Sequence, residues 1–137
     1  MTVLVTGTFD GLHKGHEDLF RQAKAFGERL IVVVARDATV AAVKHRRTRI
    51  NEEGRREAVA AHPLVDGAIL GQVKDKLAVI EQVRPEVILL GYDQQAFTND
   101  LGARLAERGL FPRIVRADAF EPHQYKSSLL YERGENG

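Results

Sequence analysis

The chain's 137 residues contain no cysteine. That excludes disulfides, thiolate catalysis and cysteine-held metal sites together. No apolar run approaches the roughly 18 residues of a membrane span. Neither charge is in surplus: 20 Lys and Arg stand against 19 Asp and Glu, a formal net charge of +1. No global field therefore draws the chain to nucleic acid or to an anionic membrane. The start of the chain lacks a basic segment followed by a long apolar stretch and enters strand-like sequence at once, so a cytoplasmic protein is expected. The composition that remains, 44% hydrophobic and 28% charged, is that of an ordinary globular protein and argues against disorder. A single domain over residues 1–137 is the expectation for this length. Folding it buries roughly two-thirds of the unfolded surface.

The pattern alternates strand and helix. TVLVT (2–6) is rich in β-branched residues, and RLIVVVA (29–35) is apolar throughout, as when both faces of a sheet are covered. Three more strands are expected at VDGAILG (65–71), EVILLG (86–91) and FPRIVRA (111–117). Helical spacing appears in EDLFRQAKAF, where Leu19, Phe20, Ala23 and Phe26 share a face. Gly27 then suits a left-handed cap. Asp37 suits the cap of a short helix through Ala38–Val43, and Asn51 that of a helix running toward His62. Further helices are predicted over 75–83, over LGARLAERG, and near Ser127 in the tail. This order implies an α/β fold, a Rossmann-like, doubly wound, five-stranded parallel sheet with helices on both faces.

Residues 7–16 read GTFDGLHKGH. They lie between the first strand and the first helix, where ligands bind in an open parallel sheet. Neither the dinucleotide fingerprint nor the P-loop pattern fits these glycines. The ingredients of a phosphate site are nevertheless present: backbone N–H groups, glycines that permit close approach, and a helix N-terminus. His13 and His16 add donors. A metal is the rival use of His-x-x-His, but no third histidine stands nearby. Taken singly, a histidine in a turn is usually a surface or capping residue, Asp10 suits an Asx-turn, and the basic stretch KHRRTR (44–49) suits a solvated loop.

Together these residues resemble the first signature of the nucleotidyltransferase superfamily, G-x-F-D-x-x-H-x-G-H. The likeness extends to Lys44, Arg46 and Arg47, to LLGYDQ (89–94) and to YKSS (125–128). Among the branches, VARD (34–37), ILLGYDQ (88–94) and YKSSLL (125–130) are most similar to the archaeal-type FAD synthases. The cytidylyltransferases usually close on a longer motif, R-T-E-G-I-S-T-T. This chain has Pro122-His123 where that motif has its arginine.

The resemblance implies transfer of AMP from ATP to FMN, with release of pyrophosphate. The attacking oxygen already belongs to a phosphate whose second pKa is about 6, so no strong base is needed. Alignment and charge neutralisation are what the reaction requires. His13 and His16 would then donate to the α- and β-phosphates, and Thr8, Phe9 and the preceding glycine would offer backbone. Lys44 would fold over a phosphate as a catalytic point charge, with Arg46 and Arg47 gripping the acceptor phosphate beside it. Gly91 and Asp93 would meet the nucleoside, while Lys126, Ser127 and Ser128 would hold the β- and γ-phosphates. Asp10 would touch Mg2+, or another divalent ion, directly or through water. A flavin ring has Phe9, Tyr92, Phe97 and Phe120 as candidate platforms. Relatives are often dimers, which makes a homodimer an expectation. Other readings are a cytidylyltransferase using CTP and a small alcohol phosphate such as glycerol 3-phosphate, and a nucleotide sensor without turnover. An RNA-binding module is disfavoured because KHRRTR carries no aromatic residue for base stacking.

Overall fold

The computed structural model describes residues 1–91 and 100–118, apart from the side chains of residues 43 and 44. The strands are β1 (Thr2–Gly7), β2 (Arg29–Val34), β3 (Gly67–Leu70), β4 (Val87–Leu90) and β5 (Arg113–Arg116). The helices are α1 (Lys14–Phe26), α2 (Asp37–Lys44), α3 (Glu52–Ala60), α4 (Ala78–Val83) and α5 (Leu101–Ala106). All pairings are parallel, in the order β3-β2-β1-β4-β5. This is the Rossmann-like α/β sheet expected from the sequence. Among the described residues, no helix is long and apolar enough to cross a membrane.

The two-sided cover follows from the strand sequences. Successive side chains of a strand point to opposite faces. Val3, Val5, Leu30, Val32, Val34 and Leu89 pack with Phe20 and Ala23 of α1 and Val59 of α3. Their neighbours Leu4, Val33, Ile88 and Leu90 pack with Ile80 of α4 and with Leu101 and Leu105 of α5. A strand apolar at every position needs a helix on each side, and the chain supplies both.

The sheet order also locates the site. From β1 the chain builds outward through β2 and β3, then returns to place β4 on the other side of β1. Ligands bind at the carboxyl ends of the strands flanking such a reversal. The β1–β4 register pairs Val5 with Leu89. Gly7 and Gly91 each follow two residues later, at the carboxyl ends of these adjacent strands.

Three local expectations are corrected. Gly27 is extended (φ −172°), not left-handed. Glycine is needed there because a Cβ would come 2.5 Å from the Met1 carbonyl oxygen. Asp37 is the first residue of α2 and does not cap it; the cap position is Arg36, with no side-chain cap bond. Helix α4 starts at Ala78 rather than near residue 75. Asp75 instead accepts from the Leu77 N–H and holds both nitrogens of the Arg108 fork, at 3.1 and 2.9 Å. The predicted tail helix near Ser127 lies outside the described residues.

Candidate active site

Between Gly7 and α1 the chain turns through two residues with positive φ, Phe9 (58°) and Gly11 (101°). Glycine adopts this conformation freely. A phenylalanine there stores strain of about 1–3 kcal/mol. Burial compensates. The Phe9 ring is 2% exposed, lies edge-on to His16 with centroids 5.0 Å apart, and packs on Phe20 at 5.8 Å. It also covers Gly7, where a Cβ would come 2.8 Å from the ring. The Phe9 ring is therefore core and not a platform for a flavin. The other three candidate platforms, Tyr92, Phe97 and Phe120, lie outside the described residues.

The two histidines form a reciprocal cap on α1. His13 is the N-cap, and its Nδ1 accepts from the Gly15 N–H at 3.0 Å. His16 reaches back, its Nδ1 accepting from the His13 N–H at 3.3 Å. Serine or threonine with glutamate usually fill these roles. The imidazole rings stack with centroids 3.9 Å apart and planes 25° apart. A neutral imidazole has one donor nitrogen and one acceptor. With Nδ1 accepting in both rings, the proton resides on Nε2 in both. Burial lowers the His13 pKa, which favours this neutral form. His13 is surface-exposed as a residue, so the desolvation comes from the stacked ring and the turn on one side of it. The helix start thus holds two imidazole N–H groups beside a glycine turn, that of His16 buried.

Asp10 ties this turn to the basic loop. Its two carboxylate oxygens accept the backbone N–H groups of Arg49 (2.8 Å) and Ile50 (2.9 Å). Arg49 Nη2 donates to the Asp10 carbonyl at 3.0 Å. Upstream, His45 (φ 58°) ends α2 in the left-handed region and turns the chain into the loop. Arg46 and Arg47 are exposed in that loop.

Arg55 fastens the turn from beneath. It is fully buried. Its guanidinium donates to the Thr8 carbonyl (2.7 Å), the Ile50 carbonyl (2.9 Å) and Asp37 Oδ1 (2.7 Å). The Arg55 hydrogen bond, with the Glu52 N–H and the Thr48 hydroxyl, holds the Asp37 carboxyl below its usual range. Asp37 and Glu52 also exchange bonds. Each carboxylate accepts the other's backbone N–H, at 2.8 and 3.2 Å, which ties the starts of α2 and α3 together. Arg36 pairs with Glu52 at 3.3 Å and donates to the Gly71 carbonyl.

The structure therefore brings Thr8, Phe9, Asp10, His13 and His16 into one turn and joins the 45–50 loop to it. Gly91 stands at the end of β4, its carbonyl accepting from Arg116 at 3.0 Å. Asp93, Lys126, Ser127 and Ser128 lie outside the described residues, as does the side chain of Lys44.

A family model described as cytidylyltransferase-like matches residues 4–133. The chain belongs to the cytidylyltransferase-like family. It is 43% identical over 127 residues to the FAD synthase of Methanothrix thermoacetophila, covering 92% of this chain and 87% of that protein. It is 44% identical over 115 residues to the FAD synthase of Methanosarcina barkeri, covering 83% and 81%. A solved structure described as the lipopolysaccharide core biosynthesis protein from Thermoplasma volcanium matches with a TM-score of 0.83 at 35% identity, covering 88% of this chain and 98% of that one.

In this cytidylyltransferase-like chain, Arg55, Asp37 and Glu52 are the framework that sequence reasoning missed. One signal was available. Arg55 and Val59 are four residues apart on the buried side of α3. An arginine on an apolar helical face is seldom buried unless paired, which marks it as a paired interior cation.

Proposed function

We propose that this protein is an FMN adenylyltransferase, an FAD synthase. A phosphate oxygen of FMN attacks the α-phosphorus of ATP. The new P–O bond forms as the bond to the β-phosphate bridging oxygen breaks, and pyrophosphate leaves with that electron pair. The observation that carries the chemistry is the imidazole pair, in which each Nδ1 accepts a backbone N–H and each Nε2 therefore carries the proton. The acceptor is inferred from the archaeal FAD synthases to which most of the chain is similar.

His13 and His16 donate to phosphate oxygens of the triphosphate. The contacts act by growing stronger as negative charge builds on the leaving pyrophosphate. The turn supplies backbone N–H groups at a helix start, where anions are favoured. Neither histidine is required to remove a proton, because the FMN phosphate is already ionised near neutral pH. Lys44, Arg46 and Arg47 offset the charge of the two substrates as they meet. Gly91 and Asp93 serve the nucleoside, and Lys126, Ser127 and Ser128 the terminal phosphates.

A divalent ion such as Mg2+ would neutralise triphosphate charge. Among the described residues, no three His, Asp or Glu side chains are grouped to hold a metal by themselves. Asp10 spends one lone pair of each oxygen on a backbone N–H and retains others. That suits an ion carried mainly by substrate phosphates and its own waters, with Asp10 as a protein contact.

Incubated with Mg2+, ATP and FMN, the protein should release pyrophosphate and form FAD, separable from FMN by chromatography. Riboflavin should not replace FMN, because its alcohol must lose a proton and the described turn supplies no evident base. Release of pyrophosphate from CTP and glycerol 3-phosphate, with no FAD from ATP and FMN, would instead establish the cytidylyltransferase reading.

A further inference from the structure

We propose that Arg49 binds a substrate phosphate directly, and that Asp10 places it there. The inference rests on the adenylyltransferase reading. Family resemblance directs attention to Lys44, Arg46 and Arg47 in the basic loop. The structure attaches the loop to the glycine turn at a different cation. Both Asp10 carboxylate oxygens are taken by the backbone N–H groups of Arg49 and Ile50, at 2.8 and 2.9 Å. The carboxylate is thereby occupied with the loop's main chain. Among the described residues it forms no ion pair with the guanidinium.

The side chain then bends back over the turn. Arg49 Nη2 donates to the Asp10 carbonyl at 3.0 Å. It also lies 2.9 Å from where a Cβ on Gly11 would stand. Gly11 therefore has two reasons to be glycine: its φ of 101° and the guanidinium against it. His13, whose imidazole caps α1, follows two residues later. A guanidinium carries five N–H donors. Among the described residues the Arg49 side chain uses one, and it makes no salt bridge. The result is an exposed cation, fixed at its backbone and at one nitrogen, lying against Gly11 of the turn that leads to His13 and in no ion pair among the described residues. Its planar fork matches two phosphate oxygens. The phosphate belongs either to ATP or to FMN, and kinetics separate them.

Arg49→Ala and Arg49→Lys test this in the full chain. With ATP and FMN, Arg49→Ala should raise KM for one substrate about tenfold or more, the size expected for a lost charge-assisted contact. The other KM and the melting temperature should hardly move. The substrate whose KM rises identifies the phosphate. Arg49→Lys should recover only part, because a point charge does not replace a fork. Calorimetric titration with inorganic tripolyphosphate gives a readout independent of turnover, and Arg49→Ala should weaken that binding if ATP is the partner. Wild-type kinetics for both substrates, together with unchanged tripolyphosphate binding, would overturn the role of Arg49. Failure of the wild-type protein to make FAD would instead overturn the adenylyltransferase reading.

Discussion

Replacing His16 with alanine should lower kcat by about 10²-fold or more while leaving the KM for ATP within a few-fold. In the proposed reaction the ring Nε2–H donates to charge that develops as pyrophosphate departs, and removal of one such donor typically costs 10²–10³ in rate. A contact that strengthens in the transition state appears in kcat rather than in ground-state binding. Alanine also removes the acceptor for the His13 N–H and the edge-on neighbour of Phe9. Two amide variants separate these effects. His16→Gln puts an N–H donor near the place of Nε2, and His16→Asn puts its amide near Nδ1. The glutamine variant should keep more activity. Equal activity in the two, or an alanine variant within a few-fold of wild type, would remove the Nε2 donor from the mechanism.

The second large effect is on stability. Arg55→Met should destabilise the fold by about 3–5 kcal/mol, roughly the loss of two charge-assisted hydrogen bonds to backbone carbonyls with a smaller share from half-exposed Asp37. The Thr8 and Ile50 carbonyls lose their guanidinium donor, and Asp37 loses its counter-ion. Total stabilities of domains are about 5–15 kcal/mol, so this is a large fraction. The melting temperature should fall by roughly 10–20 °C. Arg55→Lys keeps the charge but cannot span three acceptors in a plane, and should recover less than half. Thermal unfolding of the three proteins decides the matter. A loss of only a degree or two would mean that the turn and the 45–50 loop hold together without this arginine.

Much of this architecture is legible in the sequence because it rests on local chemistry. Continuous apolar runs separated by amphipathic segments dictate a parallel sheet covered on both faces. Asn51 caps α3 as its position predicts, accepting from the Gly54 N–H at 2.8 Å. The bland expectation for a histidine in a turn also holds, since His13 does cap its helix. That role does not compete with the functional one. The cap uses Nδ1 and thereby fixes the donor on Nε2.

What was not legible depends on distant partners. The burial of Arg55 is set by a carbonyl 47 residues earlier in the chain and a carboxylate 18 residues earlier. Asp10 finds its acceptor role in backbone groups 39 and 40 residues away. Gly27 is required by the carbonyl of Met1, which no local rule for helix ends would reveal. Phe9 has a left-handed backbone that only its packing on Phe20 and His16 makes tenable.

The proposed reaction needs both imidazoles at the helix start as Nε2–H donors for phosphate. It is tested most directly by nitrogen NMR of the histidine side chains at about pH 7.5, where unperturbed histidines are largely neutral. The spectra are recorded before and after adding an ATP analogue with a non-hydrolysable α–β bridge. His13 and His16 should both show an unprotonated Nδ1 and a protonated Nε2, and the two Nε2 resonances should shift when the analogue binds. A proton on Nδ1 in either ring, or bound analogue with both Nε2 resonances unmoved, would contradict it.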